Sequence, residues 1–336
     1  MSSNDDKATF SSTEMQALIL DNYGLTVATK PLPGYQDQNF WTQDQTGRQY
    51  VCKVSLAADR DLLHAQHDAL IHLDAAVPEI IPTVLETKLG QMMVEIQSPD
   101  GQKYLLRLLS FLPGQTMAKS RPISEALWQQ LGRTLAGVDQ ALARFDSPAL
   151  HYDFTWDLIH GVPTVEANLE LVTDLQLQNQ FRELLLYYKN ECEPLLPSLR
   201  KSIIHNDAND LNVLVSGGRI TGLIDYGDMI FSHTICDLAI CLAYAILDEQ
   251  DPLQIICLVT AGYHQVYPLT ENELKVLYGM ICLRMAVSAS MSYKQILLRP
   301  DDEYLVISQQ PIRNTLPVML AIPPATVETA LKKAIT

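Results

Sequence analysis

The segment 203–228 constrains the fold of this chain more than any other part of the sequence. It places His205, Asp207 and Asn212 on one predicted loop at the spacing H-x-D-x-x-x-x-N, which is that of a kinase catalytic loop. Two short apolar runs around a Ser-Gly-Gly turn then predict a hairpin, and Asp225 follows where the aspartate of a kinase D-F-G motif lies. Each residue alone is more typical of a turn. The four together at this spacing indicate a catalytic centre.

Phosphoryl transfer needs little covalent chemistry from a protein. It needs a group that orients the attacking hydroxyl, and oxygen ligands for a Mg²⁺ ion that neutralises charge on the transferred group. A carboxylate, an amide and a second carboxylate in this order supply groups of those kinds. The segment therefore predicts a kinase.

Composition limits the classes of partner and compartment. The formal net charge of −15 disfavours nucleic acid and anionic membranes as partners, because both repel an acidic surface. The longest uninterrupted apolar run, Leu238 to Leu247, is about half of the ~20 residues that a membrane span needs, and residues 1–8 have the polar composition of a disordered tail rather than of a signal peptide. The six cysteines have no paired spacing, so we expect free thiols in the cytoplasm.

The hydrophobic pattern predicts an α+β fold with two lobes, since 336 residues exceed what one compact core usually serves. Residues 30–109 alternate mainly as strands, with one helix over Asp59–Asp74, and residues 111–114 predict a linker. Beyond Pro122 the apolar residues recur at helical spacing, apart from the catalytic segment. We expect a small β-rich N-terminal lobe over 9–112, which binds nucleotide, and a larger helical lobe over 113–336.

A lysine for the nucleotide phosphates is predicted on the strand Gln49–Leu56. A kinase places this lysine, here Lys53, against the α- and β-phosphates and holds it with an acidic residue of the next helix. That helix has no glutamate at the expected place, so Asp68 is the predicted partner. A preceding loop is predicted to cover the phosphates with its backbone N–H groups. Its residues are Gly34, Tyr35, Gln36 and Asp37.

These residues resemble the aminoglycoside phosphotransferase and choline kinase superfamily, and within it the hydroxylysine kinase group and related bacterial phosphotransferase domains. The similarity extends over nearly the whole chain, and its most specific parts are Trp-Asp-Leu at 156–158 and Asp-Tyr-Gly-Asp at 225–228. Other matching stretches lie at 35–40, 107–114, 205–212, 236–240 and 284–288. One departure is Asn206, which stands where relatives commonly have glycine.

The resemblance implies a protein-kinase-like bilobal fold, a Mg²⁺–nucleotide donor (ATP or GTP) and phosphorylation of a hydroxyl on a small amine-bearing molecule. It also implies roles for the site residues. Asp207 would accept or orient the proton of the substrate hydroxyl, and His205 would brace the loop. Asn212 and Asp225 would hold Mg²⁺, and Lys53 would bind phosphate.

Four further residues are candidate substrate contacts, each with a structural alternative. Asp228 is expected to hold metal or a substrate ammonium, or to cap a turn. Asp157 is expected to line the acceptor pocket, and Trp156 to stack on an amine or to pack in the core. Arg284 is expected to pair with an acceptor carboxylate or with a structural acid. Asp237 has the features of a helix N-cap, so we expect it to be structural.

The function expected from these features is that of a cytoplasmic kinase for 5-hydroxylysine or a similar amino alcohol. Homoserine, choline, ethanolamine and aminoglycosides are alternative acceptors, and among these only an amino acid requires a basic group for its carboxylate. An inactive nucleotide-binding protein on the same scaffold is supported by the missing glutamate opposite Lys53 and opposed by the retention of Asp207. The sequence leaves the oligomeric state and the choice between ATP and GTP open.

Overall fold

The computed structural model describes residues 10–34, 37–99, 101–298 and 309–336. The chain divides into two compact units, 1–113 and 114–336, so the division lies one residue from the predicted lobe boundary. The first unit is an antiparallel sheet with two helices, and the second is mostly helical. The predicted α+β fold class is confirmed.

The first unit is built on a six-stranded antiparallel sheet. Its strands lie in the order β1-β2-β3-β6-β4, and β5 pairs with β6. The elements are α1 (Ser12–Tyr23), β1 (Val27–Leu32), β2 (Gln38–Asp44), β3 (Gln49–Leu56), α2 (Arg60–Ala76), β4 (Val84–Leu85), β5 (Val94–Gln97) and β6 (Lys103–Ser110).

Each face of this sheet packs against one helix. Helix α1 begins at a capping box, in which Ser11 and Glu14 satisfy each other's backbone N–H groups. It places fully buried apolar residues in a cluster with the Cys52 face of β3. Helix α2 packs on the opposite face, where Leu63 contacts Leu105. Because successive strand residues point to opposite faces, Lys53 lies on the α2 side.

The second unit contains helices and two small sheets. Strand β9 pairs with β10 and β7, and β11 pairs with β8. The elements are β7 (Gln115–Thr116), α3 (Glu125–Leu142), α4 (Gly161–Asn168), α5 (Leu175–Tyr187), β8 (Lys201–Ile204), β9 (Val213–Ser216), β10 (Arg219–Leu223), β11 (Ile230–His233), α6 (Ile235–Ala245), α7 (Pro252–Val266), α8 (Glu271–Leu298), α9 (Gln309–Leu320) and α10 (Pro324–Ala334).

Helices α3 and α7 cross at two glycines. A Cβ atom on Gly132 would overlap the carbonyl oxygen of Val259, and one on Gly262 would overlap the carbonyl oxygen of Gln129. Only glycine permits this approach of the two backbones. The crossing fixes α3, which also contacts β8 and β10 beside the catalytic segment.

The structure differs from the sequence prediction at several boundaries. A helix expected around 169–191 is α5, which begins at Leu175 because the Asp174 side chain accepts the N–H groups of Gln176 and Leu177. The pairing of β8 with β11 was not predicted. It joins the strand before the catalytic loop to the strand after Asp228.

Helix α8 lies in the interior of the second unit. Among the described residues it contains the one stretch, Glu271–Leu297, that is long and apolar enough to cross a membrane by length and composition. Its most apolar window is 89% buried within the fold, which is the pattern of a core helix. The six cysteines are free thiols, and five of them are buried.

Candidate active site

The catalytic loop lies between β8 and β9, and a carboxylate of α6 holds its backbone. Asp237 is fully buried, and its two oxygens accept the N–H groups of His205 (3.0 Å) and Asn206 (2.8 Å). The expectation that Asp237 caps its helix is wrong, because Thr234 is the N-cap residue and Asp237 lies in the first turn. Asp237 therefore positions the loop.

His205 joins the loop to the strand end that carries Asp225. Its Nδ1 accepts the N–H of Asp207 (3.2 Å), and its Nε2 lies 3.0 Å from the carbonyl oxygen of Ile224, to which it donates. The ring is fully buried, and burial lowers its pKa. A neutral imidazole with the proton on Nε2 satisfies both contacts. Through these two contacts His205 holds the catalytic loop against the strand end that carries Asp225.

Asp207 carries the candidate catalytic carboxylate. Its Oδ1 accepts from Nδ2 of Asn209 and its Oδ2 from Nδ2 of Asn212, both at 2.8 Å. Burial raises the pKa of Asp207 to about 7; the charge of Arg284 opposes this shift, and the charges of Asp228 and Asp225 add to it. A carboxylate whose pKa lies near neutrality is suited to accept a proton from a hydroxyl.

Asn212 and Asp225 present oxygen atoms suited to a divalent ion. Nδ2 of Asn212 donates to the backbone and side-chain oxygens of Asp207, and among the described residues its Oδ1 accepts no hydrogen bond. Asp225 is exposed and adopts a left-handed backbone at φ 63°. Mg²⁺ in kinases takes one or two protein oxygens together with phosphate oxygens. The pair fits that requirement, and the described part of the chain holds no cluster of three or more His, Cys, Asp or Glu that would serve a metal without phosphate.

Asn206 has a backbone conformation that favours glycine. Its φ is 66°, a conformation that glycine adopts freely and asparagine tolerates. The side chain is 1% exposed, and neither its amide oxygen nor its nitrogen finds a partner among the described residues. The residue donates its backbone N–H to Asp237 and, independently of that bond, buries an amide without a partner among the described residues.

Arg284 lies beside Asp207 in a partly aromatic environment. Its guanidinium is 4% exposed and packs against the rings of Trp156 (5.2 Å) and Tyr244 (5.5 Å). Nη2 lies 3.7 Å from Oδ1 of Asp207, and Nη1 donates to the carbonyl oxygen of Trp156 at 3.4 Å. Its Nε donates to no group among the described residues. The cation is thus buried at the catalytic loop with one N–H unused.

The remaining substrate candidates lie in two kinds of environment. Asp228 is half-buried, and its charge reaches Asp207. Asp157 is buried and engaged with protein groups, since it accepts from Ser232 Oγ (2.7 Å) and from the N–H of Ile159 (3.2 Å). We therefore leave Asp157 out of the acceptor contacts.

In the first unit Lys53 forms part of a cluster of charged side chains. Its Nζ lies 3.5 Å from Oδ2 of Asp37, and the same oxygen lies 3.1 Å from Nη2 of Arg107. Asp68, the partner predicted for Lys53, is exposed. It lies two residues beyond the buried Gln66, which at 100° per residue is the opposite side of α2. The choice of Asp68 is corrected, and within the first unit Lys53 forms an ion pair with Asp37.

The loop ahead of β2 is described at Gly34 and Asp37, whereas Tyr35 and Gln36 lie outside the described residues. A Cβ atom on Gly34 would overlap the side chain of Asn39 and the carbonyl oxygen of Asp37. Glycine is therefore required at this close approach.

Sequence reasoning missed Arg107 and Asp237 as site residues. Each is a charged residue within an apolar run, Leu106 to Leu108 and Cys236 to Leu238. Charged residues are seldom buried without a partner. That signal was available in both runs, although it does not identify the partner.

Comparison with known proteins gives three findings. A family model described as "Phosphotransferase enzyme family" matches residues 28–269. Hydroxylysine kinase of Xenopus laevis is 32% identical over 335 residues (91% of this chain, 88% of that protein), and that of Danio rerio is 30% identical over 331 residues (92% and 91%). Among solved structures, an amicoumacin kinase in complex with AMP-PNP, Ca²⁺ and Ami superposes with a TM-score of 0.66 at 16% identity, covering 95% of this chain and 94% of that one.

Proposed function

Since the chain belongs to the phosphotransferase enzyme family and is a kinase that acts on a hydroxyl group of a small molecule, we propose that its acceptor is 5-hydroxylysine or a closely similar hydroxy amino acid. Relatives that carry the name hydroxylysine kinase align with about nine-tenths of the chain. The observation that carries the proposal is the buried Arg284 guanidinium, 3.7 Å from Oδ1 of Asp207.

An acceptor carboxylate gives Arg284 a function. Arginine binds carboxylates with two parallel N–H groups, and the Nε of Arg284 has no partner among the described residues. In an extended 5-hydroxylysine the hydroxyl-bearing carbon lies about 5 Å from the carboxyl carbon, given ordinary C–C bonds. That length lets the hydroxyl meet Asp207 while the carboxylate meets Arg284. Choline brings a fixed positive charge and no carboxylate, so a buried arginine here would repel it.

The donor in this proposal is ATP or GTP with Mg²⁺. Lys53 would contact the phosphates, and Asn212 and Asp225 would hold the metal through their side-chain oxygens. The bound ion would neutralise charge on the phosphates. The complex of the amicoumacin kinase with AMP-PNP and Ca²⁺ supports a nucleotide and a divalent ion in this fold.

On the acceptor side, Asp207 orients the hydroxyl and takes its proton. The two asparagine amides that donate to its oxygens fix the carboxylate, and His205 and Asp237 fix the backbone behind it. Asp228 would hold an ammonium of the acceptor. We place the enzyme in the cytoplasm, where nucleotide is available and free cysteines remain reduced.

The test is an acceptor panel with mass detection of products. Purified protein with Mg²⁺ and ATP or GTP is given 5-hydroxylysine, homoserine, choline, ethanolamine and an aminoglycoside. We expect 5-hydroxylysine to have the highest kcat/KM, and Asp207→Ala to abolish transfer while nucleotide binding persists. A phosphorylated choline or aminoglycoside as the best product would contradict the proposal.

A second comparison isolates the carboxylate. The decarboxylated analogue 1,5-diaminopentan-2-ol keeps the hydroxyl and both amines. Loss of a charge-assisted bidentate contact costs about 1.5–3 kcal/mol, or roughly 10–100-fold. We expect Arg284→Met to raise the KM for 5-hydroxylysine by that factor and to change the KM of the analogue much less. The loss of the Arg284 charge acts on Asp207, so any effect on kcat should be shared by both acceptors. Arg182→Met, at an exposed arginine of α5, is the matched control.

A further inference from the structure

Two buried cations lie directly opposite each other in the sheet of the first unit. In the antiparallel pairing of β3 with β6, Lys53 faces Arg107. The two residues are 9% and 4% exposed. Like charges at directly opposed positions destabilise a sheet, and burial increases the repulsion. Such a pair is stable only with an anion between its members.

In this structure a carboxylate oxygen lies between the two cations. Oδ2 of Asp37 lies 3.5 Å from Nζ of Lys53 and 3.1 Å from Nη2 of Arg107. Asp59 has an exposed side chain and forms no ion pair with Arg107. Partial burial of its carboxyl raises the pKa of Asp59, and the charge of Arg107 opposes that shift. Asp37 is therefore a carboxylate that both cations of the Lys53–Asp37–Arg107 cluster share.

Beyond Asp37, the contacts of Arg107 with described residues include no second anion. Nη1 donates to the neutral amide oxygen of Gln66 at 3.4 Å, and Nε is buried without a partner among the described residues. A glutamate at position 66 would add a negative charge beside Arg107. The glutamine accepts a hydrogen bond from Arg107 but adds no charge.

We propose that Arg107 is a second phosphate-binding residue, which contacts the nucleotide phosphates together with Lys53, and that the Asp37 carboxylate occupies their place until nucleotide displaces it. The inference rests on the proposed role of Lys53. An arginine fork matches two phosphate oxygens, and a nucleotide phosphate chain brings more negative charge than one carboxylate. The shared Asp37 oxygen marks the point where both cations can reach one anion.

The two halves of the proposal predict opposite effects on nucleotide affinity. Arg107→Met removes a phosphate contact, so we expect the Kd of Mg²⁺–AMP-PNP, or of its guanosine counterpart, to rise about 10–100-fold. Asp37→Asn removes the competing charge, so we expect that Kd to fall about three- to tenfold. Arg107→Lys keeps the charge and loses the fork, and should give an intermediate Kd.

Isothermal titration calorimetry on the full chain measures these constants without an acceptor. The corresponding nucleoside, which has no phosphate, is titrated in parallel and should bind all variants equally. Lys103→Met is the matched control, since Lys103 is an exposed cation of the same strand paired with Glu95. Melting temperatures show whether each variant is folded.

The outcomes separate this inference from the proposed function. If Lys53→Met weakens AMP-PNP binding and Arg107→Met does not, Arg107 is structural and the inference fails while the phosphate role of Lys53 stands. If neither substitution changes AMP-PNP binding, both proposals for this cluster fail. If Asp37→Asn weakens binding, Asp37 supports the cations rather than competing with phosphate. That result stands even if Arg107→Met does not fold.

Discussion

Replacing Asn206 by glycine should stabilise the second unit. The substitution relieves a left-handed backbone at φ 66° and removes a buried amide whose two polar atoms have no partner among the described residues. The first relief is worth about 1 kcal/mol and the second roughly 1–3 kcal/mol. Against these stand about 0.5–1 kcal/mol for the greater freedom of glycine in the unfolded chain and about 1 kcal/mol for the space left by the amide. The balance is a gain of about 1 kcal/mol.

The assay is unfolding followed by tryptophan fluorescence in a Trp41→Phe background. Trp128 and Trp156 then report on the second unit alone. For a unit of roughly 200 residues, 1 kcal/mol corresponds to a Tm increase of about 2–4 °C. The kcat should stay within about threefold of wild type, because glycine retains the backbone N–H that Asp237 accepts.

Asn206→Ala is the matched variant. It removes the same amide but keeps a Cβ atom at φ 66°, so it should melt below Asn206→Gly. If Asn206→Gly melts below wild type, or if Asn206→Ala melts at the same temperature as Asn206→Gly, the assignment of strain to this residue is refuted.

Three further predictions concern the second unit. Burial raises the folded-state pKa of Asp207 to about 7, above its unfolded value, so its contribution to stability is fully present below about pH 4 and is lost as the pH rises through 7. Relative to Asp207→Asn, wild type should lose about 3 kcal/mol between pH 4 and pH 7 in urea unfolding without metal, and a constant difference would contradict this. Burial and the charge of Asp237 raise the pKa of Asp139 well above its usual range, so the neutral Asp139→Asn should change the free energy of unfolding by less than about 1 kcal/mol. Asp139→Ala removes the acceptor of the Tyr263 hydroxyl at 2.5 Å and should cost about 2–4 kcal/mol in the same measurement; equal losses in the two variants would show that Asp139 is ionised. Gly132→Ala should lower the Tm by several degrees because its Cβ meets backbone of α7, and calorimetry showing no change would mean that the helices separate without cost.

The sequence predicted those parts of the fold whose signal is local. The alternation in β3, the helical spacing of α3 and the loop-hairpin spacing around Asp207 each depend on near neighbours in the chain, and the predicted fold class and kinase class are confirmed. The roles of Asp207, Asn212 and Asp225 stay predictions, although the structure brings the groups around Asp207 together.

The site residues that the sequence did not predict depend on which side of a helix faces the sheet and on how the strands pair. The prediction of Asp68 as the partner of Lys53 was wrong because the side of α2 that faces the sheet is set by packing, which composition does not fix. Arg107 became visible only once the register placed it opposite Lys53. In the sequence alone Asp237 resembles a helix N-cap, and its hydrogen bonds to a loop some 30 residues earlier exist only in the folded chain.

The attachment of the catalytic loop to α6 has a consequence for how acceptor preference can change. The reacting carboxylate is held by Asp237 and by hydrogen bonds within the catalytic loop, whereas Arg284, proposed to bind the acceptor carboxylate, lies on α8 against Trp156. Substitutions at Arg284 and Trp156 keep the hydrogen bonds that hold the loop, and loss of the arginine charge would raise the pKa of Asp207 further. A new acceptor is therefore accessible to evolution, or to an engineer, through a few exchanges on one helix and one loop.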